Sequence, residues 1–193
     1  KNSFVSFLVD TERLFTKKSL TALDVSGKWT VESATFNSVT LDKCDYWFDG
    51  ELQEENGYVL NIVPRTTELH RPVNVRCAFK IDLDYVSDKL FVAVETPEIF
   101  TVKVNGIEID KTDCGFFRDS SFRMLDIQKY AKVGENVIEL ISLITQSDEV
   151  YENIEKSKMF ESEKNKLTYD MEIESIYLVG DFAVKADGVF EPI

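Results

Sequence analysis

Hydrophobic and polar residues alternate along one long stretch in the middle of the chain. Between Val73 and Leu83 every second residue is apolar, and most of the residues between them are polar. A period of two places successive side chains on opposite faces of a strand, so this stretch predicts a β-strand with one buried face. The next apolar run, from Leu90 to Val94, is short and continuous, which is typical of a strand covered on both faces.

The same alternation predicts a hairpin and several further strands. It resumes over residues 100–104, stops at Asn105-Gly106 and continues over residues 107–109. Asn-Gly readily adopts the two positive φ angles of a type I′ turn, so this segment predicts a β-hairpin. Further strands are predicted at Trp29–Phe36, Tyr58–Val63, Val137–Ile144 and Ile173–Val179. Strands at this spacing, without alternating helices, indicate a mainly β, antiparallel sandwich rather than a parallel α/β sheet.

Two segments depart from this pattern. Residues 1–25 carry apolar side chains near helical spacing, so we expect an N-terminal helix there, or a linker from a preceding domain. Residues 147–166 are rich in Asp, Glu and Lys and open with Ser147, a favoured N-cap, followed by acids that suit the start of a helix. We therefore expect a helical insertion within a sandwich domain of residues 26–193. It either caps the sandwich or contacts another domain.

The net charge and the cysteines indicate which binding partners and which cellular compartment to expect. The 193 residues carry a formal net charge of −13, which repels phosphate backbones and anionic lipids and so disfavours nucleic acid and membranes. Cys44, Cys77 and Cys114 have neither CxxC nor zinc spacing, so free thiols and a reducing, cytoplasmic setting are favoured. No signal peptide is recognisable, and without an initiator Met we expect a piece of a larger protein whose targeting signal is not visible.

Residues for catalysis are scarce or lack a supporting pattern. His70 is the only histidine and has no nucleophile signature around it, so we expect a solvent-facing loop residue rather than a catalytic base. Glycoside hydrolysis needs two carboxyl groups about 5 to 10 Å apart, a spacing that many pairs among 35 acidic residues meet by chance. One such pair, Glu172 and Glu174, is expected on the outside of a strand. We assign no catalytic residue and no cofactor to this chain alone.

The most unusual segment follows the Asn-Gly hairpin, where we expect a loop. It places two adjacent aromatic residues beside an arginine and an aspartate: Phe116, Phe117, Arg118 and Asp119. Aromatic faces stack on the C–H surfaces of sugars, and Arg and Asp bond hydroxyl groups, so these four residues are the carbohydrate-binding candidates. The alternative is a structural loop that plugs the open end of a sandwich, with Arg118 paired to a neighbouring acid.

The order of several segments resembles a known domain family. Residues 26–31 open a strand, residues 96–106 end in Val-Asn-Gly, Asp126-Ile127 follows, and residues 133–140 read Val-Gly-Glu-Asn-Val-Ile-Glu-Leu. This series is similar to the galactose-binding-like jelly-roll domain that accompanies β-galactosidase-type and rhamnosidase-type glycoside hydrolases of bacteria. The resemblance covers about residues 25–184.

The resemblance implies a noncatalytic jelly-roll sandwich packed against the catalytic domain of the same parent chain. Some relatives bind an oligosaccharide or polysaccharide and some hold a structural calcium, but the sequence carries no family-specific ligand motif. The leading hypothesis is an accessory domain of a larger carbohydrate-active enzyme, a glycoside hydrolase, that supports the catalytic domain or substrate binding. The alternatives are an autonomous carbohydrate-binding module and a scaffold domain for protein–protein contact.

Overall fold

The computed structural model describes residues 26–27, 35–159 and 161–193. The predicted N-terminal helix, within residues 1–25, lies outside the described residues, and so does most of the predicted strand Trp29–Phe36. Residues 35 and 36 are described and are not part of a strand. The first described strand begins at Asn37.

The strands and helices have the following bounds. The strands are β1 (Asn37–Leu41), β2 (Lys43–Phe48), β3 (Glu51–Tyr58), β4 (Val73–Leu83), β5 (Leu90–Glu95), β6 (Thr101–Val104), β7 (Ile107–Glu108), β8 (Phe116–Phe117), β9 (Asp119–Asp126), β10 (Gly134–Ile144), β11 (Ile176–Gly180), β12 (Ala183–Val184) and β13 (Phe190–Glu191). The helices are α1 (Ile62–Thr67), α2 (Asp148–Met159) and α3 (Glu161–Lys164), with 3-10 turns at Val59–Asn61 and Pro97–Ile99.

Two antiparallel sheets contain most of these strands. The five-stranded sheet has the order β1–β11–β5–β9–β8, and the six-stranded sheet has the order β3–β2–β4–β10–β6–β7. Strands β12 and β13 pair separately. Inward-facing side chains from both larger sheets belong to one hydrophobic core, which gives a β-sandwich-like architecture. The prediction of a mainly β fold with antiparallel sheets is therefore confirmed.

The centre of the six-stranded sheet follows the predicted alternation. Strand β4 occupies the predicted range and pairs along its whole length with β10, from Val73 opposite Ile144 to Leu83 opposite Gly134. On β4 the apolar residues of the alternating pattern are buried, and Phe79 has no exposed surface. Because alternate residues of a strand face opposite ways, this one strand contributes a continuous row of side chains to the core.

The Asn-Gly hairpin is also confirmed. Asn105 has a φ of +52° and Gly106 a φ of +81°, so both lie in the left-handed region that a type I′ turn requires. A second turn with the same signature, Asp49-Gly50, joins β2 to β3 with φ angles of +50° and +87°. Sequence analysis missed this second hairpin, although Asp-Gly is a recognised signal for it.

The predicted strand Tyr58–Val63 is wrong. Strand β3 ends at Tyr58, and a 3-10 turn followed by α1 takes the chain away from the sheet. Pro64 lies in the first turn of α1, where its missing N–H costs no intrahelical hydrogen bond. Ile62 and Val63 are buried. The apolar run that predicts a strand is therefore the buried side of a short helix.

Helices α2 and α3 lie within the predicted helical range 147–166. Helix α2 begins directly after Ser147, with acidic residues in its first turn and lysines in its last, an arrangement that favours both helix ends. Its buried residues are Val150 and Ser157, whereas Met159 is 69% exposed. No helix of the described residues combines the length and apolar character needed to cross a membrane.

The three cysteines are free thiols. Cys44 and Cys77 are buried in the core, and Cys114 is exposed. A hydrogen bond to Cys44, together with burial, raises the pKa of the Cys77 thiol well above its ordinary value. Cys77 therefore stays protonated at neutral pH and packs as a small apolar residue.

Candidate functional site

The four expected carbohydrate-binding residues lie on a hairpin at one edge of the five-stranded sheet. Phe116 and Phe117 form β8, Arg118 is the turn, and Asp119 opens β9. The turn is tight because Arg118 adopts a φ of +65°, which lets Phe117 pair with Asp119 across a single residue. The prediction of a loop is therefore wrong for this segment. Because β9 pairs with the central strand β5, the hairpin is part of the sheet.

Ring contacts fix the side chain of Phe117. Its ring centroid lies 5.3 Å from that of Tyr177, and Phe122 meets Tyr177 edge-on at 5.4 Å. The guanidinium carbon of Arg118 lies 5.4 Å from the Phe117 ring centroid. Offset aromatic pairs and cations over ring faces at these distances attract each other. Phe117 is half-buried and therefore contributes mainly to the structure of the edge.

Phe116 is the accessible aromatic residue of the hairpin. Its side chain is 54% exposed. Together with Arg118 it borders a cavity of about 210 Å³. The cavity is lined by Thr35, Phe36, Phe116, Phe117, Arg118 and Met124. We call these six residues the edge site. An exposed ring beside a guanidinium group offers one stacking surface and several hydrogen-bond donors to a ligand.

Asp119 does not join the edge site. Its Oδ1 accepts hydrogen bonds from the backbone N–H and the hydroxyl group of Ser121, each at 2.8 Å. These two hydrogen bonds lower the pKa of the Asp119 carboxyl group. The carboxylate therefore stabilises its own turn, and Arg118 contacts the Phe117 ring rather than a neighbouring acid.

His70 lies in the exposed position expected for it. The residue follows α1 and has a φ of +50°. Its ring stacks on Tyr151 of α2, with centroids 4.8 Å apart and planes inclined by 26°. The contact joins the α1 segment to the helical insertion. It places the imidazole against an aromatic ring and not against a hydroxyl or thiol nucleophile.

The expectation that Glu172 and Glu174 lie on the outside of a strand is wrong. Strand β11 begins only at Ile176, and Glu174 is half-buried. Burial raises the pKa of its carboxyl group, and the nearby carboxylates of Glu95 and Glu172 raise it further. Among the described residues, no group of three or more His, Cys, Asp or Glu side chains is placed to hold a metal ion. They thus offer no carboxylate cluster for the calcium that the resemblance allows.

A polar cluster that sequence analysis missed lies beside β3. The hydroxyl group of Tyr46 donates to Oε2 of Glu54 at 2.7 Å, and Arg65 Nη1 donates to both the Tyr46 hydroxyl and Glu54 Oε2, the latter at 2.9 Å. Tyr46 has no exposed surface, and burial, followed by its bond to Glu54, raises its pKa to about 12. The cluster joins β2, β3 and α1. Only the Asp-Gly turn hinted that β2 and β3 would meet.

Comparisons of this chain with protein-family models, with curated proteins and with solved structures give no match.

Proposed function

We propose that residues 35–193 belong to a noncatalytic, galactose-binding-like jelly-roll domain of a larger carbohydrate-active enzyme, a glycoside hydrolase. In this proposal the domain supports the catalytic domain of the same parent chain and binds an oligosaccharide or polysaccharide at the edge site. The observation that carries the binding proposal is the exposed Phe116 ring beside the Arg118 guanidinium group at the rim of a cavity.

The path of the chain between the two sheets supports the jelly-roll proposal. The chain changes sheet between β1 and β2, β4 and β5, β5 and β6, β7 and β8, β9 and β10, and β10 and β11. Repeated crossing between two antiparallel sheets is typical of Greek-key and jelly-roll sandwiches. A simple meander would instead keep consecutive strands side by side in one sheet.

A hydrogen-bond network supports the resemblance on which the family proposal depends. Asn105, from Val-Asn-Gly, donates through Nδ2 to Oδ1 of Asn136, from Gly-Glu-Asn, at 2.9 Å. Asn136 is almost fully buried, and its side chain also bonds the backbone of Lys132 and Gly134. The Val-Asn-Gly and Gly-Glu-Asn motifs, which carry the resemblance, thus form one structural unit. Each motif supplies one asparagine of the hydrogen-bond network, so the network requires both.

The chemistry of the edge site supports a sugar rather than an ion as its ligand. Phe116 presents a flat apolar surface, and Arg118 keeps donors that are not used in an ion pair with the described residues. A sugar ring combines apolar C–H faces with hydroxyl oxygens that accept hydrogen bonds. With a net charge of −13, the chain favours such a neutral ligand over an anionic one.

Titration of the full chain with galactose, rhamnose, glucose and xylose, and with disaccharides of these sugars, tests the proposal. We expect Phe116→Ala to weaken saccharide binding roughly twofold to twelvefold, because stacking of an exposed ring contributes about 0.5–1.5 kcal/mol. Tyr58→Ala is the matched control, since Tyr58 is 52% exposed and does not line the edge site. Unchanged binding in Phe116→Ala, measured by calorimetry, would rule out the edge site.

A further inference from the structure

A second cavity differs from the edge site in size and chemistry. It lies between the β2–β3 hairpin and α1 and has a volume of about 430 Å³. This volume falls within the ~300–1,000 Å³ of typical small-molecule pockets. We call it the α1 cavity. Its lining residues are Phe48, Asp49, Glu51, Gln53, Arg65, Glu68, Leu69 and Arg71.

Arg65 is held in place by buried structure. Its Nη1 atom bonds the Tyr46 hydroxyl group and Glu54 Oε2, as described above. A guanidinium group carries five N–H donors in a rigid plane, so a group anchored through one nitrogen keeps donors on the other two. Among the described residues, no further hydrogen bond occupies these donors. Arg65 is therefore oriented before any ligand arrives.

Arg71, which lines the same cavity, is also held by hydrogen bonds. Its Nη2 atom lies 2.8 Å from Asp49 Oδ2, and its Nη1 atom donates to the carbonyl oxygen of Pro72 at 3.0 Å. Asp49 also accepts a hydrogen bond from the backbone N–H of Asn74 at 3.1 Å. Arg71 first, and then this backbone bond, lower the pKa of Asp49, so the ion pair persists at neutral pH.

Two acceptors line the same cavity as these donors. Glu51 and Glu68 are exposed, and neither forms an ion pair or a side-chain hydrogen bond with the residues that the structure describes. Exposed carboxylates normally contribute little to the stability of the fold, so both side chains are available for hydrogen bonds to a ligand. Leu69, which is 43% exposed, adds an apolar surface to the same cavity.

This arrangement selects against anionic ligands. The lining holds three carboxylates and two guanidinium groups, so an anion meets net repulsion, and a cation that approaches the carboxylates also meets the two guanidinium groups. A hydroxyl group both donates and accepts, and it can therefore bridge an arginine and a glutamate. We propose that the α1 cavity binds a neutral, hydroxyl-rich molecule of the size of a mono- or disaccharide. Arg65 and Arg71 act as donors, and Glu51 and Glu68 as acceptors.

The α1 cavity shares no lining residue with the edge site, and its ligand does not depend on the parent protein being a glycoside hydrolase. The test is a titration of the full, ¹⁵N-labelled chain with glucose, galactose, maltose and cellobiose, followed by backbone amide shifts. We expect saturable shifts at Gly50, Glu51 and Leu69. Glu68→Ala should weaken this binding about tenfold or more, because a charge-assisted hydrogen bond is lost.

Glu149→Ala is the matched control, since Glu149 is an exposed helical carboxylate outside the cavity. It should bind as the original chain does, and Phe116→Ala should also leave the shifts at Gly50 and Leu69 unchanged. Three results would overturn the proposal: absence of those shifts with every sugar, their loss in Phe116→Ala, or tighter binding of glucuronate than of glucose. Loss of edge-site binding alone would count only against the proposed function.

Discussion

The edge site and the α1 cavity are built on different sheets and by different forces. At the edge site, aromatic rings and one turn residue with positive φ set the geometry, and the neighbours of Phe117 are rings or a cation over a ring. At the α1 cavity, ion pairs and a buried tyrosine hold two arginines. The first depends on packing against one sheet, whereas the second depends on polar contacts between three elements.

The difference shows which part of a binding surface tolerates change. Ring contacts lack strict direction, so an aromatic edge can shift slightly and keep most of its stabilisation. Hydrogen-bonded ion pairs require defined distances and angles. When a buried polar group loses its partner, the protein is destabilised by the full desolvation energy of that group. Substitution of an ion-paired residue at the α1 cavity, Arg65 or Arg71, should therefore affect structure and binding together, whereas substitution of Phe116 should affect binding alone.

The largest effect is expected at Gly180, where the five-stranded sheet leaves no room for a side chain. A Cβ atom there would lie 2.3 Å from the carbonyl oxygen of Lys89, which also accepts a hydrogen bond from Asp181. Backbone has to move to relieve that contact. Gly180→Ala should therefore lower the free energy of unfolding by roughly 2–4 kcal/mol in urea denaturation.

The control for this prediction is Gly27→Ala, because no atom of the described residues lies within 4 Å of a Cβ atom at Gly27. Its effect should stay within about 0.5 kcal/mol. Because Tyr177 lies on the same strand as Gly180, Gly180→Ala should also disturb saccharide binding at the edge site more than at the α1 cavity. Equal stability of the two variants would contradict the close approach at Lys89.

Tyr46→Phe should produce the next largest effect. The change removes the hydroxyl group that joins Glu54 and Arg65 but leaves the buried ring. We expect a loss of about 1–2 kcal/mol in the free energy of unfolding, and weaker sugar binding at the α1 cavity with the edge site unchanged. In a pH titration followed by tyrosinate absorbance, the variant should also lack the tyrosine that ionises near pH 12.

Tyr58→Phe serves as the comparison for Tyr46→Phe, since Tyr58 is 52% exposed. Its stability should stay within about 0.3 kcal/mol of the original chain. If the two substitutions behaved alike, the Tyr46 hydroxyl group would have no role in holding Arg65.

Smaller and opposite effects are expected from two carboxyl groups, one beside each sheet. On β2 of the six-stranded sheet, the hydrogen bond from Lys80 is the main cause that lowers the pKa of Asp45 below 3.8, and Asn56 adds a backbone bond. Asp45 therefore stabilises the fold above its unfolded pKa, and this stabilisation is lost as pH falls through the lower folded value. Near the five-stranded sheet, burial raises the pKa of Glu174 above 4.5, so its ionisation destabilises the fold at neutral pH.

Urea denaturation at pH 7, at about pH 4 and at about pH 2 measures both groups. Asp45→Asn should lower stability at pH 7, with a smaller difference at about pH 2, whereas Glu174→Gln should raise stability at pH 7, with the difference vanishing by about pH 4. Each effect should be about 1 kcal/mol or less, because solvent screens both interactions: Lys80, the partner of Asp45, is 58% exposed, and Glu174 is half-buried. Effects of the same sign at pH 7 would refute the contrast.

Sequence alternation predicted the strands that form the core and little of the chemistry around them. The run from Val73 to Leu83 matches β4 because a period of two directly reports which face is buried. Tyr58–Val63 failed because a short apolar run fits a buried helical turn equally well. The cluster of Tyr46, Glu54 and Arg65 was not predictable, since its members meet only after β2, β3 and α1 have folded together.

The positions of the candidate residues do not follow from the sequence. Phe116, Phe117 and Arg118 line one cavity, although the sequence predicted only a loop. Asp119 does not, because aspartate can bond its own backbone two residues further on, and this local bond excludes it from the shared surface. Whether these residues bind sugar remains a prediction for the titrations above.

The outermost strands of the two larger sheets differ in how readily each could pair with a strand of another molecule. Strands β7 and β8, at two of the sheet margins, are only two residues long, and β3, at a third, carries Glu51, Glu54 and Glu55. Short or like-charged margins resist the addition of a strand from another molecule. Among the described strands, β1 forms the fourth margin, and it has five residues and no charged side chain, so of these four margins Asn37–Leu41 resists the addition of a strand least.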